Sequence, residues 1–538
     1  MKWFSLSLFS AAGQAERHGG LRLPRDKPGL PLAGEIRTLA LPARLIFPLL
    51  DYRREVLSPL VQTGQHVRAG QRLAPGVIAS ASGRIESIEP RAVIHPSGKP
   101  APCVVLEPDT HQDSAPMLYE PLSTMTAERL DECGVQGLGG AAFATARKLK
   151  AIEQSGTEPD ILLINAVECE PQIACDEALL MCEAAAVIDA IEYLMRSTQC
   201  RRCVLAVEND KTAAIAAIRL ALQQHPVELE PELQLVLLEP VYPAGAERSL
   251  IRRITGRSMS AEQRPAELGI LSINVATALA AHRACQGLPL YSRIVTVSGV
   301  GLPGPVNVRV RFGTPVDEVL RQCGYDHSTG DHRVRANGPL SGFDLPSLQA
   351  PVTASTNSLG IHPRQAVQEP QPCIRCGACE EVCPEQLLPQ QLYWYAQADD
   401  LPGCQRFGMD SCITCGCCDL VCPSSIPLTQ AFRHARDAQR EHEHQAYMAL
   451  LSQQRYHARE QRLADRAAAR EERRRQAKAS LSTSKDPIAD ALARARKRRK
   501  PRAQTNDRTS STPGADEQSV SDNTRSDAQH TPSDKQDS

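Results

Sequence analysis

No stretch of the 538-residue chain approaches the ~18 consecutive apolar residues that a spanning helix needs, so any link to a membrane has to be peripheral. Charge of one sign is missing as well: 61 Lys and Arg stand against 62 Asp and Glu, a formal net charge of −1. The balance is uneven along the chain. Residues 430–502 carry 20 Lys and Arg against 9 Asp and Glu, an excess of 11 positive charges that leaves −12 on the rest: an acidic body with a basic tail. Aromatic residues are scarce at 4%, and 40 prolines mark many turns. Nine of the 19 cysteines, from Cys103 to Cys323, lack any regular spacing. That is expected of reduced thiols in a cytosolic protein, not of a disulfide frame. Met1–Ala12 weakly resembles a signal peptide, but its apolar run is broken by Ser5, Ser7 and Ser10, and free thiols argue against export.

The other ten cysteines crowd between Cys373 and Cys422. Cys373, Cys376, Cys379 and Cys383, with Pro384 behind them, form one C-x2-C-x2-C-x3-C-P run; Cys412, Cys415, Cys418 and Cys422, with Pro423, form a second. This is the run that holds cubane clusters in two-cluster ferredoxins. Cysteines at i, i+3 and i+6 on a tight loop converge on three corners of one cube. The fourth, before proline, is carried off to the other cluster. Cys373, Cys376, Cys379 and Cys422 are therefore assigned to cluster 1, and Cys383, Cys412, Cys415 and Cys418 to cluster 2. Gly377, Ala378 and Gly416 leave room for backbone amides near the sulfurs, and Cys417 is a spare thiol. The alternative is structural zinc, which paired C-x2-C also binds; two complete runs, eight cysteines in all and each ending in Cys-Pro, favour iron–sulfur chemistry and one-electron transfer. Helical patterns at Gln390–Tyr395 and after Pro427, with a break at Pro402-Gly403, make this a helical two-cluster domain.

Upstream, Val61, Gly64, Val67, Gly70, Gln71 and Leu73, followed by Ala79–Ile88 turning at Ser82-Gly83, suggest a small β-sandwich hairpin. It resembles the biotinyl/lipoyl barrel sandwich but has no lysine at its tip for a prosthetic arm, which favours a structural role. Residues 125–285 alternate helix and strand: a buried strand at Ile161–Asn165, a helix over Asp176–Met195, a strand at Cys203–Val207 and a helix over Ala213–Gln223. This alternation implies a mostly parallel sheet with ligands at strand C-ends. Residues 293–323 return to β, with Val306, Val308 and Val310 alternating.

Within the α/β region, Gly137-Leu138-Gly139-Gly140 opens a helical stretch, and such loops set bare N–H groups and a helix dipole against phosphate. Arg147 and Lys148 can add positive charge. Asn165-Ala166-Val167-Glu168-Cys169-Glu170-Pro171 leaves the buried strand, Tyr242-Pro243-Ala244-Gly245-Ala246-Glu247 sets an acid beside glycine, and Asn274-Val275-Ala276-Thr277 follows. Each acid taken singly reads better as part of a solvated loop or as a helix cap than as a ligand.

Taken together, in this order, these segments resemble the RnfC family, a component of the Rnf-type electron transport complex, the ion-translocating ferredoxin:NAD oxidoreductase. The resemblance runs from about His18-Gly19-Gly20 to Ile426-Pro427 and includes Leu388-Pro389-Gln390-Gln391-Leu392-Tyr393-Trp394-Tyr395; Asp486-Pro487-Ile488-Ala489 is also family-like. It implies a multidomain α/β plus β fold. The expected parts are a barrel-sandwich hairpin (18–120), an α/β domain similar to the flavin subunit of complex I (121–290) and a β-grasp segment (291–360). A two-cluster ferredoxin domain (361–436), a charged helical basic tail (437–502) and a disordered end (503–538) follow. It also implies that Gly137, Gly139, Gly140, Asn165, Glu168, Glu170, Gly245, Glu247, Asn274 and Thr277 line a pocket for FMN, with NAD(H) as substrate. The sequence departs from the family pattern at Ala144, Ala166, Gln172, Ala246 and Ser358.

The expected function is a peripheral subunit at the cytoplasmic face of the bacterial inner membrane. It would relay electrons through two [4Fe–4S] clusters between NADH and ferredoxin, or another iron–sulfur subunit, while membrane subunits move the ion. A soluble NADH-linked diaphorase and a non-catalytic two-cluster docking module are the rival readings. The basic tail suits anionic lipid, an acidic partner or a solvated extension; nothing beyond charge supports nucleic acid. After anaerobic purification, iron and sulfide analysis should give about eight of each per chain, as two cubanes require; zinc in their place would refute the cluster reading.

Overall fold

The computed structural model describes residues 19–23, 35–111, 116–155, 159–200, 202–224, 232–326, 328, 330–364, 369–482 and 486–498. The signal-like Met1–Ala12, His18 and the 503–538 end lie outside them. The chain divides into two compact units, 1–444 and 445–538.

In the first unit, Leu45–Pro48, His66–Val67, Gly83–Arg91 and Ala101–Pro108 form an antiparallel sheet, with a bulge between Ile85 and Ser87. Arg72–Ala74 and Val77–Ile78 make a small hairpin beside it. Leu45, Phe47, Val67, Leu73, Ile85, Val104 and Leu106 fill the core. Gly83 has to be glycine because a Cβ there would sit 2.2 Å from the Glu107 carbonyl oxygen.

The α/β domain holds a four-stranded, wholly parallel sheet in the order Glu232–Leu238, Arg202–Glu208, Ile161–Ala166, Ile270–Asn274. Its strands are apolar runs covered on one face by the helices Cys175–Thr198, Thr212–Gln224 and Val275–Cys285 and on the other by Glu247–Thr255, as expected where helices bury both faces of a parallel sheet. One register matters for function. Asn165 pairs with Asn274 at the C-terminal edge, so two polar strand ends emerge side by side.

A six-stranded mixed sheet follows, in the order Ile36–Thr38, Val306–Arg311, Ser292–Gly299, Ser358–Pro363, His332–Ala336, Phe343–Asp344. The helix Val316–Gln322 packs on it through buried Val316, Val319 and Leu320. The strand Ile36–Thr38 lies before the first β-domain in sequence yet pairs in parallel with Val306–Arg311 of this later sheet.

The cysteine runs sit on loops between short helices. Pro389–Gln397 carries Leu392 and Ala396 inward. The helix Pro389–Gln397 ends before Pro402; Leu401–Arg406 is a separate helix with Pro402 in its first turn and Asp400 capping it, so Pro402-Gly403 opens a helix instead of breaking one. Leu428–Ser482 begins in the cluster domain and contributes Phe432 and Ala435 to the core. Among the described residues no helix is long and apolar enough to cross a membrane.

Phe432 is the largest fully buried side chain, in a core built directly against the cysteine loops. Phe432→Ala should cost about 3–5 kcal/mol, seen as earlier thermal loss of the visible cluster absorbance with the α/β domain's far-UV signal little changed; an unaltered melt would contradict this packing.

Candidate functional site: a cleft beside two thiol quartets

The fold gathers the eight motif cysteines into two groups. One cavity is lined by Cys373, Cys376, Cys379 and Cys422, the other by Cys383, Cys412, Cys415 and Cys418, with Cys417 beside them. Each group takes three thiols from one run and the fourth from the other. The left-handed Gly377 and Gly416 (φ +83° and +79°) turn the two loops alike ahead of their short helices, a backbone that a side chain would strain.

The donor set suits a cluster better than a single ion. A tetrahedral S4 zinc site holds sulfurs roughly 3.8 Å apart, given bonds of about 2.3 Å. Among the described residues, three ligand atoms lie within 4.8 Å of one another only at Glu168, Cys175 and Asp176, not in either thiol quartet. Burial pushes Cys412 up to about 11 and raises Cys383, Cys379 and Cys418. Such thiols give up their protons when cationic metal sits among them. A hydrogen bond from Cys417 lowers Cys415 instead. The Arg436 guanidinium donates to the Cys412 carbonyl at 2.9 Å, placing a positive charge on the second loop.

The second quartet abuts a large cleft at the C-terminal edge of the parallel sheet. This cleft, of about 890 Å³, is lined by Gly137, Gly139, Asn165, Glu168, Glu170, Gly245, Glu247, Asn274 and Thr277, and also by Cys415. Gly140 faces a neighbouring cavity that shares Ala141 and Tyr52 with the cleft. The structure thus brings together all the sequence-predicted residues but Gly140, and shows what most of them hold. Asn165 donates to the Gly245 carbonyl (2.9 Å) and accepts from the Val167 amide. Asn274 caps the helix Val275–Cys285 and donates to Asp176 (2.7 Å). Thr277 accepts from the Leu138 amide (2.8 Å) and so pins the glycine loop. Gly245 is glycine because a Cβ would meet the Val167 carbonyl at 2.4 Å.

The acids are similarly engaged. Glu168 accepts from the amides of Asp176 and Glu177, at the start of the helix Cys175–Thr198. Glu170 is buried, its carboxyl raised by desolvation against the pull of the Leu340 and Ser341 amides that bond it (2.6 and 3.0 Å). It ties the α/β domain to the later sheet. Glu247 pairs with Lys148 at 2.6 Å, so Lys148 is neutralised inside the cleft. Asp176 is pushed up to about 7 by burial and by Glu168 beside it, against Asn274 and the fully buried Arg293. The helix after the glycine loop starts only at Thr145, which moves its dipole away from Gly137–Gly140 and leaves the loop's amides as the donors. Among the described residues the amides of Gly139, Gly140 and Ala141 find no acceptor, and the buried Asn357 Oδ1 beside them has none either. Unspent donors on a glycine turn, with a buried orphan acceptor, fit the phosphate and ring edges of a flavin nucleotide.

Sequence reasoning missed Tyr242 as a site residue. Its ring lines the cleft and its hydroxyl donates to the Cys415 carbonyl at 2.5 Å. Its backbone exchanges two hydrogen bonds with Leu21, while the Gly20 amide bonds the Val382 carbonyl. Arg248 pairs with Glu385, and Arg252 donates to the Pro384 carbonyl. Cleft and second quartet are thus fastened together from three directions. The sequence signal was only the Tyr-Pro-x-Gly turn. Tyr52 and Arg53 reach the cleft from the first β-domain and Asn357 from the later sheet, positions that no local pattern marks.

Residues 15–111 match the family model for the RnfC barrel sandwich hybrid domain, 130–283 the Nuo51 FMN-binding domain and 372–426 the 4Fe-4S dicluster domain. Curated relatives are named as the C component of an ion-translocating oxidoreductase complex. That of Edwardsiella ictaluri is 38% identical over 88% of this chain and 60% of its own length. Those of Pectobacterium atrosepticum and Pseudomonas aeruginosa are each 37% identical, over 86% and 89% of this chain and 68% and 64% of theirs. The chain therefore spans only about two thirds of the length of these relatives. A solved NAD+-reducing [NiFe]-hydrogenase in its H2-reduced state is 17% identical with a TM-score of 0.44, covering 58% of this chain and 62% of its own, a likeness too loose to speak to chemistry.

The crossed quartets predict how single cysteine variants group. Cys383→Ser should lose the same EPR signal as Cys415→Ser, and Cys422→Ser the same signal as Cys376→Ser. Grouping by run would contradict the crossing.

Proposed function

Because the chain belongs to the RnfC family of ion-translocating oxidoreductase complexes, we propose that it is the peripheral electron-transfer subunit of such a complex. The α/β cleft would hold the flavin and NAD(H), and the two thiol quartets would hold the clusters that carry single electrons. When bound, FMN supplies exchange between a hydride and single electrons, and the two [4Fe–4S] clusters supply one-electron storage.

The chain's residues supply position. Gly139 and Ala141, which line the cleft, would present free amides to the flavin phosphate. Asn165, Asn274 and Thr277 hold the strand ends and glycine loop that shape the cleft. Glu168 and Asp176 sit below it as a buried acidic pair countered by Arg293. Cys383, Cys412, Cys415 and Cys418 hold the cluster proximal to the cleft; Cys373, Cys376, Cys379 and Cys422 hold the distal one. No side chain is required as general acid or base.

One observation carries this reading: Cys415 lines both the cleft and the second thiol cavity. A two-electron donor in the cleft is thereby adjacent to one cluster only. Cys376 is exposed on the other quartet, with Ile374 and Trp394 uncovered around it, so the distal cluster faces an external redox partner. Membrane subunits of the same complex, and ferredoxin or another iron–sulfur subunit, are the partners this arrangement suits. The expected location is the cytoplasmic face of the inner membrane.

Anaerobic titration of the purified, cluster-replete chain with NADH should reduce bound flavin and then both clusters. Intact clusters with neither flavin nor NADH binding would leave a docking module and overturn the catalytic cleft.

A further inference from the structure

The first β-domain contributes to the cleft in a way that the flavin and cluster readings leave unused. The loop after Leu45–Pro48 runs Asp51-Tyr52-Arg53-Arg54, and Tyr52 and Arg53 line the cleft on the side of the glycine loop. Asp51 fixes the turn, its Oδ1 accepting from the amides of Arg53 and Glu55 at 2.8 Å each. Tyr52 is a hub. Its hydroxyl accepts from Arg147 at 2.7 Å, and the Arg147 guanidinium lies 5.0 Å from its ring centroid. The Arg53 guanidinium lies 5.5 Å from the same centroid. The Phe143 ring, which also lines the cleft, meets the Tyr52 ring edge-on at 4.8 Å and 64°.

Both arginines are exposed, and among the described residues neither forms an ion pair. Held on a ring and, for Arg147, by one hydrogen bond to the Tyr52 hydroxyl, these guanidiniums keep most of their donors available for an incoming anion. The neighbouring acids do not compete for them: Glu247 is spent on Lys148, Glu168 on helix amides and Glu170 on Leu340 and Ser341. What the rim offers is a pair of guanidiniums held on one tyrosine. That combination matches a diphosphate.

We propose that Arg53 and Arg147, held on Tyr52, recognise the diphosphate of the nucleotide, so that the first β-domain completes the substrate cleft. Arg53 and Arg147 contact the phosphates, and Tyr52 is a positioning residue. This rests on the cleft's being a nicotinamide dinucleotide site, and it adds which residues read the end remote from the chemistry.

ADP-ribose, which lacks the nicotinamide, is the probe. Its binding to the full, cluster-loaded chain is measured by calorimetry and by competition with NADH, alongside flavin content. Wild type should bind ADP-ribose. Arg53→Ala should weaken both ADP-ribose and NADH by about tenfold or more, the size of one lost charge-assisted contact, at unchanged flavin and iron content. Arg53→Lys should recover most of that loss, because charge is what acts. Tyr52→Phe, which keeps the ring and frees Arg147, should weaken ADP-ribose by a few-fold. Wild-type affinity for ADP-ribose in Arg53→Ala, while wild type binds NADH, would overturn this inference alone; so would a loss that Arg53→Lys does not recover. Wild type binding neither ligand would overturn it together with the dinucleotide reading.

Discussion

Everything functional in this chain depends on one fastening: the Tyr242 loop, at the edge of the parallel sheet, is bonded to the backbone that carries the second thiol quartet. The Tyr242 hydroxyl reaches the Cys415 carbonyl, and its backbone pairs with Leu21, whose neighbour Gly20 bonds Val382 in the first cysteine run. Gly19 can lie there only as glycine, since a Cβ would be 2.4 Å from the Cys383 carbonyl oxygen. Arg248 with Glu385, a largely buried pair, closes the third side. Removing one partner of such a pair costs more than the pair contributes, because the other charge is left stranded. The seam is therefore held by geometry and by the penalty for opening it. A cluster domain on a free tether would leave the spacing between cleft and thiols undefined.

The crossing of the cysteines serves the same end. With Cys383 in the second quartet and Cys422 in the first, neither quartet can form unless both runs fold together. Both then pack on the core of Leu392, Met409, Ile426 and Phe432. A rigid two-site unit docked at a fixed seam is what a directed relay needs: one quartet against the cleft, the other with an exposed cysteine.

How much of this could be read from residues alone varied with how local the determinant was. The cysteine runs were legible in full because ligand spacing is a property of a few consecutive residues. The strands Ile161–Ala166 and Arg202–Glu208 and the helices following them showed through apolar runs and periodicity. The clustering of Asn165, Glu168, Gly245, Asn274 and Thr277 was reachable only through family resemblance, because it comes from strand register. What those side chains hold was legible only in part. The helix-cap reading suits Glu168, which bonds amides at the start of Cys175–Thr198, whereas the resemblance set both acids in a ligand pocket and Glu170 bonds the amides of Leu340 and Ser341. Lys148 read as a phosphate cation, yet it is paired with Glu247. Tyr52, Arg53 and Asn357 come from other domains, and no pattern within their own segments points toward the cleft. The pairing of Ile36–Thr38 with Val306–Arg311 is a similar long-range choice.

The arrangement sets an order: cleft, then the quartet containing Cys415, then the quartet containing Cys376. Freeze-quench EPR after mixing the anaerobic, flavin-loaded chain with NADH resolves that order, with Cys415→Ser and Cys376→Ser variants assigning the two signals. The signal lost in Cys415→Ser should rise first, and the other signal should fail to appear at short times in that variant while the Cys415 cluster still reduces normally in Cys376→Ser. Reduction of the Cys376 cluster first, or at full speed without the Cys415 cluster, would contradict it.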